Sequence, residues 1–228
     1  MRLPDLSSHI ISERCLMADA YTVYWTHERC AALRRLGWKG RRLELLFGGP
    51  HHSEPSFISA GVRAGDMLYP IAVRSGELYI VGSARVRRIL TLDDYIEQLT
   101  TLFADHLDAP EEEACQHSSS SRYGRALTPF ERYCAAHPEV AALAPTCTSE
   151  VVECEESTPL RFDLSIPPDL LARLRYRSRR RERDLSRHLR DGRLKNTLAL
   201  QGIYRLSESS AREVEALLQT SADAASKC

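Results

Sequence analysis

The stretch from Gly61 to Leu90, GVRAGDMLYPIAVRSGELYIVGSARVRRIL, leaves little freedom in how it can fold. Two runs rich in β-formers, Met67 to Val73 and Leu78 to Val86, flank the polar tetrapeptide Arg74-Ser75-Gly76-Glu77. A glycine there reaches positive φ with no Cβ to clash, so the pattern predicts a β-hairpin. Upstream, Gly65-Asp66 predicts a turn, because glycine relieves backbone strain and aspartate can bond its own downstream N–H.

Around this hairpin the N-terminal half alternates short helices and strands. Residues 10 to 18 read as a short helix, and Tyr21 to Thr26 as a strand dense in β-branched and aromatic residues. His27 to Leu36 fits an amphipathic helix closed by Gly37. In Arg41 to Phe47 the alternation of Leu43, Leu45 and Phe47 predicts a strand with Arg42 and Glu44 facing water. Two glycines and two prolines make Gly48 to Pro55 a loop. Thr91-Leu-Asp-Asp94 supplies an N-cap for a helix from Leu92 to Phe103, with Leu92, Ile96, Leu99 and Phe103 on one stripe.

Beyond it, Asp105 to Ser121 is acidic and then serine-rich, the composition of a linker. Thr128-Pro129-Phe130-Glu131 opens a helix to Ala136; Val151 to Cys154 and Leu160 to Leu164 read as strands. Pro167-Pro168-Asp169 starts a helix carrying Leu170, Leu171 and Leu174, and Asp191-Gly192 reads as a helix stop. Thr197 to Leu206 fits either a strand with a glycine bulge or part of a helical pair. Ser210-Ala-Arg-Glu213 is a capping box for a last helix that buries Val214, Leu217 and Leu218, before a fraying tail.

The order Gly-Asp, strand, glycine turn, and a second strand ending in Val81-Gly82-Ser83-Ala84 resembles the central hairpin of PUA-like barrel domains, the superfamily with the ASCH, EVE and YTH groups. The resemblance covers about residues 20 to 104 and implies a mixed β-barrel with flanking helices. We therefore expect an α+β protein: a PUA-like barrel domain over 1–104, an acidic, serine-rich linker over 105–126, and a smaller, mainly helical segment over 127–228 bearing a basic strip.

The 31 basic and 31 acidic side chains cancel, so any attraction to nucleic acid must come from a local patch. No apolar run approaches the ~20 residues that cross a bilayer, and MRLPDLSSHI lacks a signal-like apolar block, so a cytoplasmic protein without membrane contact is expected. Seven scattered cysteines, Cys15, Cys30, Cys115, Cys134, Cys147, Cys154 and Cys228, suit reduced thiols better than a disulfide framework.

From Arg173 to Lys195 the chain holds eleven Arg or Lys and three acids. Arg175, Arg177, Arg179, Arg180, Arg181 and Arg183 fall close together, followed by Arg187, His188, Arg190, Arg193 and Lys195. Guanidinium groups hold phosphates through paired hydrogen bonds, so the strip is a candidate for gripping a phosphodiester backbone. The competing reading is a solvated face, or one matched by the acids of the linker and by Glu150, Glu153, Glu155 and Glu156.

Among the aromatic residues, Trp25, Trp38 and Tyr69 are candidates for stacking on a base, beside ordinary core packing. Some PUA-like relatives, the EVE and YTH groups, hold a modified base in an aromatic cage, and the resemblance implies that role for Trp25 and Trp38.

Cys134-Ala-Ala-His137 with Cys147 and Cys154 offers zinc-type ligands, but the second pair is widely spaced. His51, His52 and Glu54 share the glycine- and proline-rich loop without the His-Glu-x-x-His spacing of a helix-borne metal site. No nucleophile elbow, phosphate loop or dinucleotide fingerprint is present, so no catalytic residue, cofactor or metal is expected.

The favoured reading is a non-catalytic nucleic-acid-binding protein, of RNA or DNA, with a base pocket in the barrel and phosphate contacts from the C-terminal arginines. Two readings stand beside it. One is an interaction or regulatory module that docks an acidic protein partner; the other is a metal-assisted hydrolase or nuclease.

Overall fold

A computed structural model describes residues 18–50, 55–102, 128–144, 147–178 and 181–226. All but the last residue of the helix expected over 10–18, the pair His51 and His52 with Glu54, and the whole 105–126 segment lie outside the described residues. The first strand, β1 (Ala20–Tyr24), leads into α1 (His27–Arg35), whose start is fixed by Thr26. The Thr26 hydroxyl accepts from the Arg29 N–H at 3.2 Å, satisfying one of the orphan donors of the first turn. Strand β2 (Leu45–Gly48) is shorter than the alternation predicts, and Arg42 makes only an isolated bridge to Pro159. Leu43, Leu46 and Phe47 are buried, so the expected single face of Leu43, Leu45 and Phe47 is not kept. A single helical turn, α2 (Phe57–Ala60), follows.

The predicted hairpin is present as β3 (Met67–Arg74) and β4 (Glu77–Ile80), joined by Ser75 and Gly76. Both turn residues are left-handed, with φ of 52° and 78°, the backbone sense that matches the twist of the flanking strands. The expected second strand is split. After Ile80 the chain leaves β3 and returns as β5 (Ala84–Thr91), which re-pairs with Met67 and Leu68 and then runs along β6 (Glu150–Glu155).

Helix α3 (Leu92–Leu102) starts where Thr91 accepts from the Asp94 N–H. Helix α4 (Pro129–Ala136) carries the full capping box of Thr128 and Glu131, and α5 (Pro138–Leu143) follows with proline at its first position.

The C-terminal part departs furthest from expectation. After α6 (Pro168–Arg173), the arginine-rich run forms two small hairpins instead of a helix. They are β7 (Arg175–Arg177) with β8 (Glu182–Asp184), and β9 (Leu189–Arg190) with β10 (Arg193–Leu194), joined by a 3₁₀ turn at Ser186–His188. Asp191 and Gly192, with φ of 52° and 72°, are therefore a hairpin turn and not a helix stop. The strand option is realised for part of Thr197 to Leu206, as β11 (Ile203–Arg205). Leu160 to Leu164 forms no strand of its own. The last helix, α7 (Glu208–Ser226), starts a turn earlier than expected, with the Ser207 hydroxyl accepting from the Ser210 N–H.

Seven strands form one sheet in the order β11-β1-β3-β5-β6-β2, with β4 paired on β3. The β1–β3 pair is parallel and the other pairings are antiparallel. Both faces of the sheet are covered. Tyr21, Val23, Leu68 and Val86 pack with Leu33 of α1, Tyr95 of α3 and Leu143 of α5. Ala20, Tyr69, Ile71 and Ile80 pack with Leu171 of α6 and with Val214 and Leu218 of α7. Strand alternation explains the division, since adjacent residues such as Leu68 and Tyr69 point to opposite faces.

The α+β class thus stands, and the sheet runs across the expected 105–126 division. Residues 127–228, expected to be mainly helical, supply β6 and β11 to it and the two hairpins beside it.

Candidate nucleic-acid interface

The two hairpins hold their cations outward because three apolar side chains anchor them inward. Tyr176, Leu185 and Leu194 are buried in the second cluster, and the Tyr176 ring meets that of Tyr204 edge-on at 6.0 Å. The tip of β7–β8 is closed by Ser178, whose N–H donates to the Arg181 carbonyl while its hydroxyl accepts from the Arg181 N–H. The second hairpin docks on the β3–β4 turn, where the Leu194 N–H donates to the Gly76 carbonyl at 2.8 Å. A Cβ at position 76 would stand 2.9 Å from the Leu194 oxygen, so this contact needs glycine for space as well as for φ. Arg190, Arg193 and Lys195 line the cleft left between turn and hairpin.

On this frame Arg177, Arg181, Arg183, Arg187 and Lys195 are exposed, and among the described residues none forms a salt bridge. The Lys195 ammonium is positioned by the Arg187 carbonyl, to which it donates at 3.0 Å. Arg175 is half-buried and donates to the Ala172 and Leu174 carbonyls. Arg190 and Arg193 pair with Asp191 and Glu77, at 3.7 and 3.1 Å. Arg179 and Arg180 lie outside the described residues.

Three of the acids that might have neutralised the strip are engaged elsewhere, and those of the linker lie outside the described residues. Glu153 pairs with Arg88 and Glu156 with Arg85, each at 2.7 Å. Glu150 is buried at the start of α2, where its carboxylate accepts from the Phe57 and Ile58 N–H groups. Within the strip, Asp184 accepts from the hydroxyl and N–H of Ser186, which hold its carboxyl below the usual range, helped by the nearby Arg175 and Arg187.

The aromatic candidates fare differently from the arginines. Trp25 is 1% exposed inside the first cluster, and Tyr69 is 2% exposed between the sheet and α7, its hydroxyl donating to Glu215 at 3.0 Å. Neither ring has a free face for a base, which corrects the stacking role expected of both. Burial, followed by the Glu215 carboxylate, raises the Tyr69 phenol further. Trp38 is half-buried against the first cluster with the Arg41 guanidinium 5.8 Å from its ring.

Among the described residues no group of three or more His, Cys, Asp or Glu is placed to hold a metal ion, and Cys134, Cys147 and Cys154 are free thiols. Burial pushes the Cys154 thiol up to about 12. No helix of the described residues is long and apolar enough to cross a membrane.

The supports of the strip, Ser178, Leu185, Gly76 and the Asp191-Gly192 turn, did not stand out as functional from sequence. The signal for the last was present, since Asp-Gly between short runs is a strong mark of a two-residue hairpin.

No known family model matches the sequence, and no curated protein matches it. Solved structures that resemble it include the ASCH protein of Zymomonas mobilis, at 11% identity over 87% of this chain and 95% of that one, with a TM-score of 0.31. A serine-to-alanine variant of that protein gives a TM-score of 0.33 and a tyrosine-to-phenylalanine variant 0.31, both at 11% identity and over 87% of this chain. They cover 96% and 98% of those chains.

Proposed function

We propose that this chain binds nucleic acid through the phosphodiester backbone, using the two hairpins between Arg175 and Lys195. One observation supports the reading: Arg177, Arg181, Arg183, Arg187 and Lys195 share one anchored strip, exposed and without a salt bridge among the described residues. Such a strip releases counterions from a polyanion and fixes its position, but reads no base sequence. With Trp25 and Tyr69 buried, the barrel pocket expected for a base has no stacking platform from those two rings. The grip is therefore electrostatic and tolerant of sequence.

The test is a fluorescence-anisotropy titration of mixed-sequence oligonucleotides, single-stranded and duplex, across a salt series. Reversing Arg181→Glu, Arg183→Glu and Arg187→Glu together should weaken binding on every sequence alike. It should also make the plot of log affinity against log salt shallower by about 2 to 3, at 0.7–0.9 per phosphate contact. Undiminished affinity in that variant, or no affinity of the unaltered protein at low salt, defeats the reading. Capture of an acidic protein in the latter case would assign the strip to a protein partner.

A further inference from the structure

Beside the turn on which the second hairpin docks, one cavity gathers two arginines that form no salt bridge among the described residues, with Glu28 next to the His27 ring at its α1 end. It opens between α1 and the β3–β4 hairpin, with an apolar lining from Cys30, Val73, Val81 and Phe162. His27 and Arg34 reach it from α1, and Arg74 from the end of β3. His27, Cys30 and Arg34 stand three and four residues apart, so they share one face of the helix.

Both arginines are held by rings. The Arg34 guanidinium lies 5.5 Å from the Phe162 centroid, and its Nε donates to the Cys30 carbonyl at 3.3 Å. That of Arg74 lies 4.5 Å from the Tyr79 centroid. A guanidinium resting on a ring has a restricted geometry, so an arriving anion meets a donor fork already set. Among the described residues neither arginine forms a salt bridge. Glu77 faces Arg74 across the turn, yet it accepts instead from Arg193 at 3.1 Å and from the Tyr79 hydroxyl at 2.7 Å. Burial pushes the Cys30 thiol up to about 11, so it stays neutral and brings no opposing charge.

We infer that this cleft binds a phosphomonoester dianion, with the Arg34 and Arg74 guanidiniums and the His27 ring as donors around an apolar floor. The chemistry separates this site from the hairpins. A phosphomonoester offers three free oxygens and up to two charges, whereas a phosphodiester inside a strand offers one charge. Two arginines at one cleft therefore favour a strand end or a free small phosphate over the interior of a strand.

Isothermal titration calorimetry of the full chain tests this with inorganic phosphate, uridine monophosphate, and matched oligonucleotides carrying or lacking a terminal phosphate. Phosphate and the monophosphate should bind saturably. Their affinity should fall about tenfold in Arg34→Gln and again in Arg74→Gln, as loss of a charged hydrogen-bond donor predicts. It should be unchanged in a variant carrying Arg181→Gln, Arg183→Gln and Arg187→Gln. A gain from the terminal phosphate of the oligonucleotide assigns the site to strand ends; binding of the small phosphates without that gain assigns it to a free phosphomonoester. Arg74 lies exposed at a hairpin end, so its variant keeps the fold even if the Arg34 variant does not. No saturable heat with phosphate, equal affinity in the Arg74 variant, or a loss confined to the hairpin variant overturns the inference. None of these results bears on backbone binding by the hairpins.

Discussion

On β5, Arg85 and Arg88 meet Glu156 and Glu153 at 2.7 Å, whereas Arg177, Arg181, Arg183 and Arg187 on the hairpins form no salt bridge among the described residues. The difference does not lie in the supply of acids. Register places Arg88 directly opposite Glu153 on the antiparallel neighbour, the geometry in which cross-strand charges attract. The hairpin β7–β8 also sets Arg175 opposite Asp184 and Arg177 opposite Glu182. There, however, Asp184 turns to cap Ser186, and Glu182 stands exposed without reaching Arg177. Arginine on the sheet ties two strands together, and arginine on the hairpins keeps its charge available.

The contrast breaks most severely if the hairpins lose their anchor. Leu194→Ala, at a site 5% exposed, should cost about 2 to 5 kcal/mol in urea unfolding and abolish nucleic-acid binding with the displaced strip. Next in size, Gly76→Val forces a branched residue to φ 78° and a Cβ within 2.9 Å of the Leu194 oxygen. A loss of about 1 to 3 kcal/mol is expected, with weaker binding although no cation has been touched.

The other half of the comparison predicts the smallest effects. Arg85→Gln removes a partly exposed pair, and should lower stability by at most about 1 kcal/mol and leave oligonucleotide affinity unchanged. A drop in affinity comparable to that of the hairpin reversal would erase the distinction between the two regions.

A pH series sharpens the same point. The hydrogen bond from Arg88, reinforced by its charge, holds the Glu153 carboxyl below the ordinary glutamate range. Its folded value lies below its unfolded one, so its stabilisation is present above the unfolded value, about 4.3, and is lost as pH falls through the folded value. Arg88→Gln should therefore flatten the acid side of the plot of urea midpoint against pH, and leave the neutral side parallel. An acid limb identical in slope to that of the unaltered protein would show that the pair is not linked to folding.

Where local chemistry dictates structure, the sequence is readable. The Ser75-Gly76 turn, the Thr128 and Glu131 capping box, and the helix after Thr91 all follow from residues within a few positions of one another. The hairpins at 175–194 are misread as helix because arginine is a good helix former, and the weight of eleven cations hides the Asp191-Gly192 turn. Joining β6 and β11 to the sheet depends on pairings too distant in the chain for any local pattern to announce.

Of the site, the arginines are legible because charge density survives without a fold. Burial does not, and Trp25 and Tyr69 look like stacking residues only until the sheet is covered on both faces. Arg34 and Arg74 are unremarkable in sequence, forty residues apart, and acquire meaning from the rings they rest on.

The pairing of Tyr21 with Arg205 sets a timetable for synthesis. As the polypeptide leaves the ribosome, β1 must wait for most of the remaining chain before its outer edge is taken up, and β5 waits for Glu150 to Glu155. Such long-range closure slows folding and leaves hydrogen-bonding edges open to other nascent chains. A ribosome stalled before residue 200 would hold six of the seven strands with the outer edge of β1 still bare.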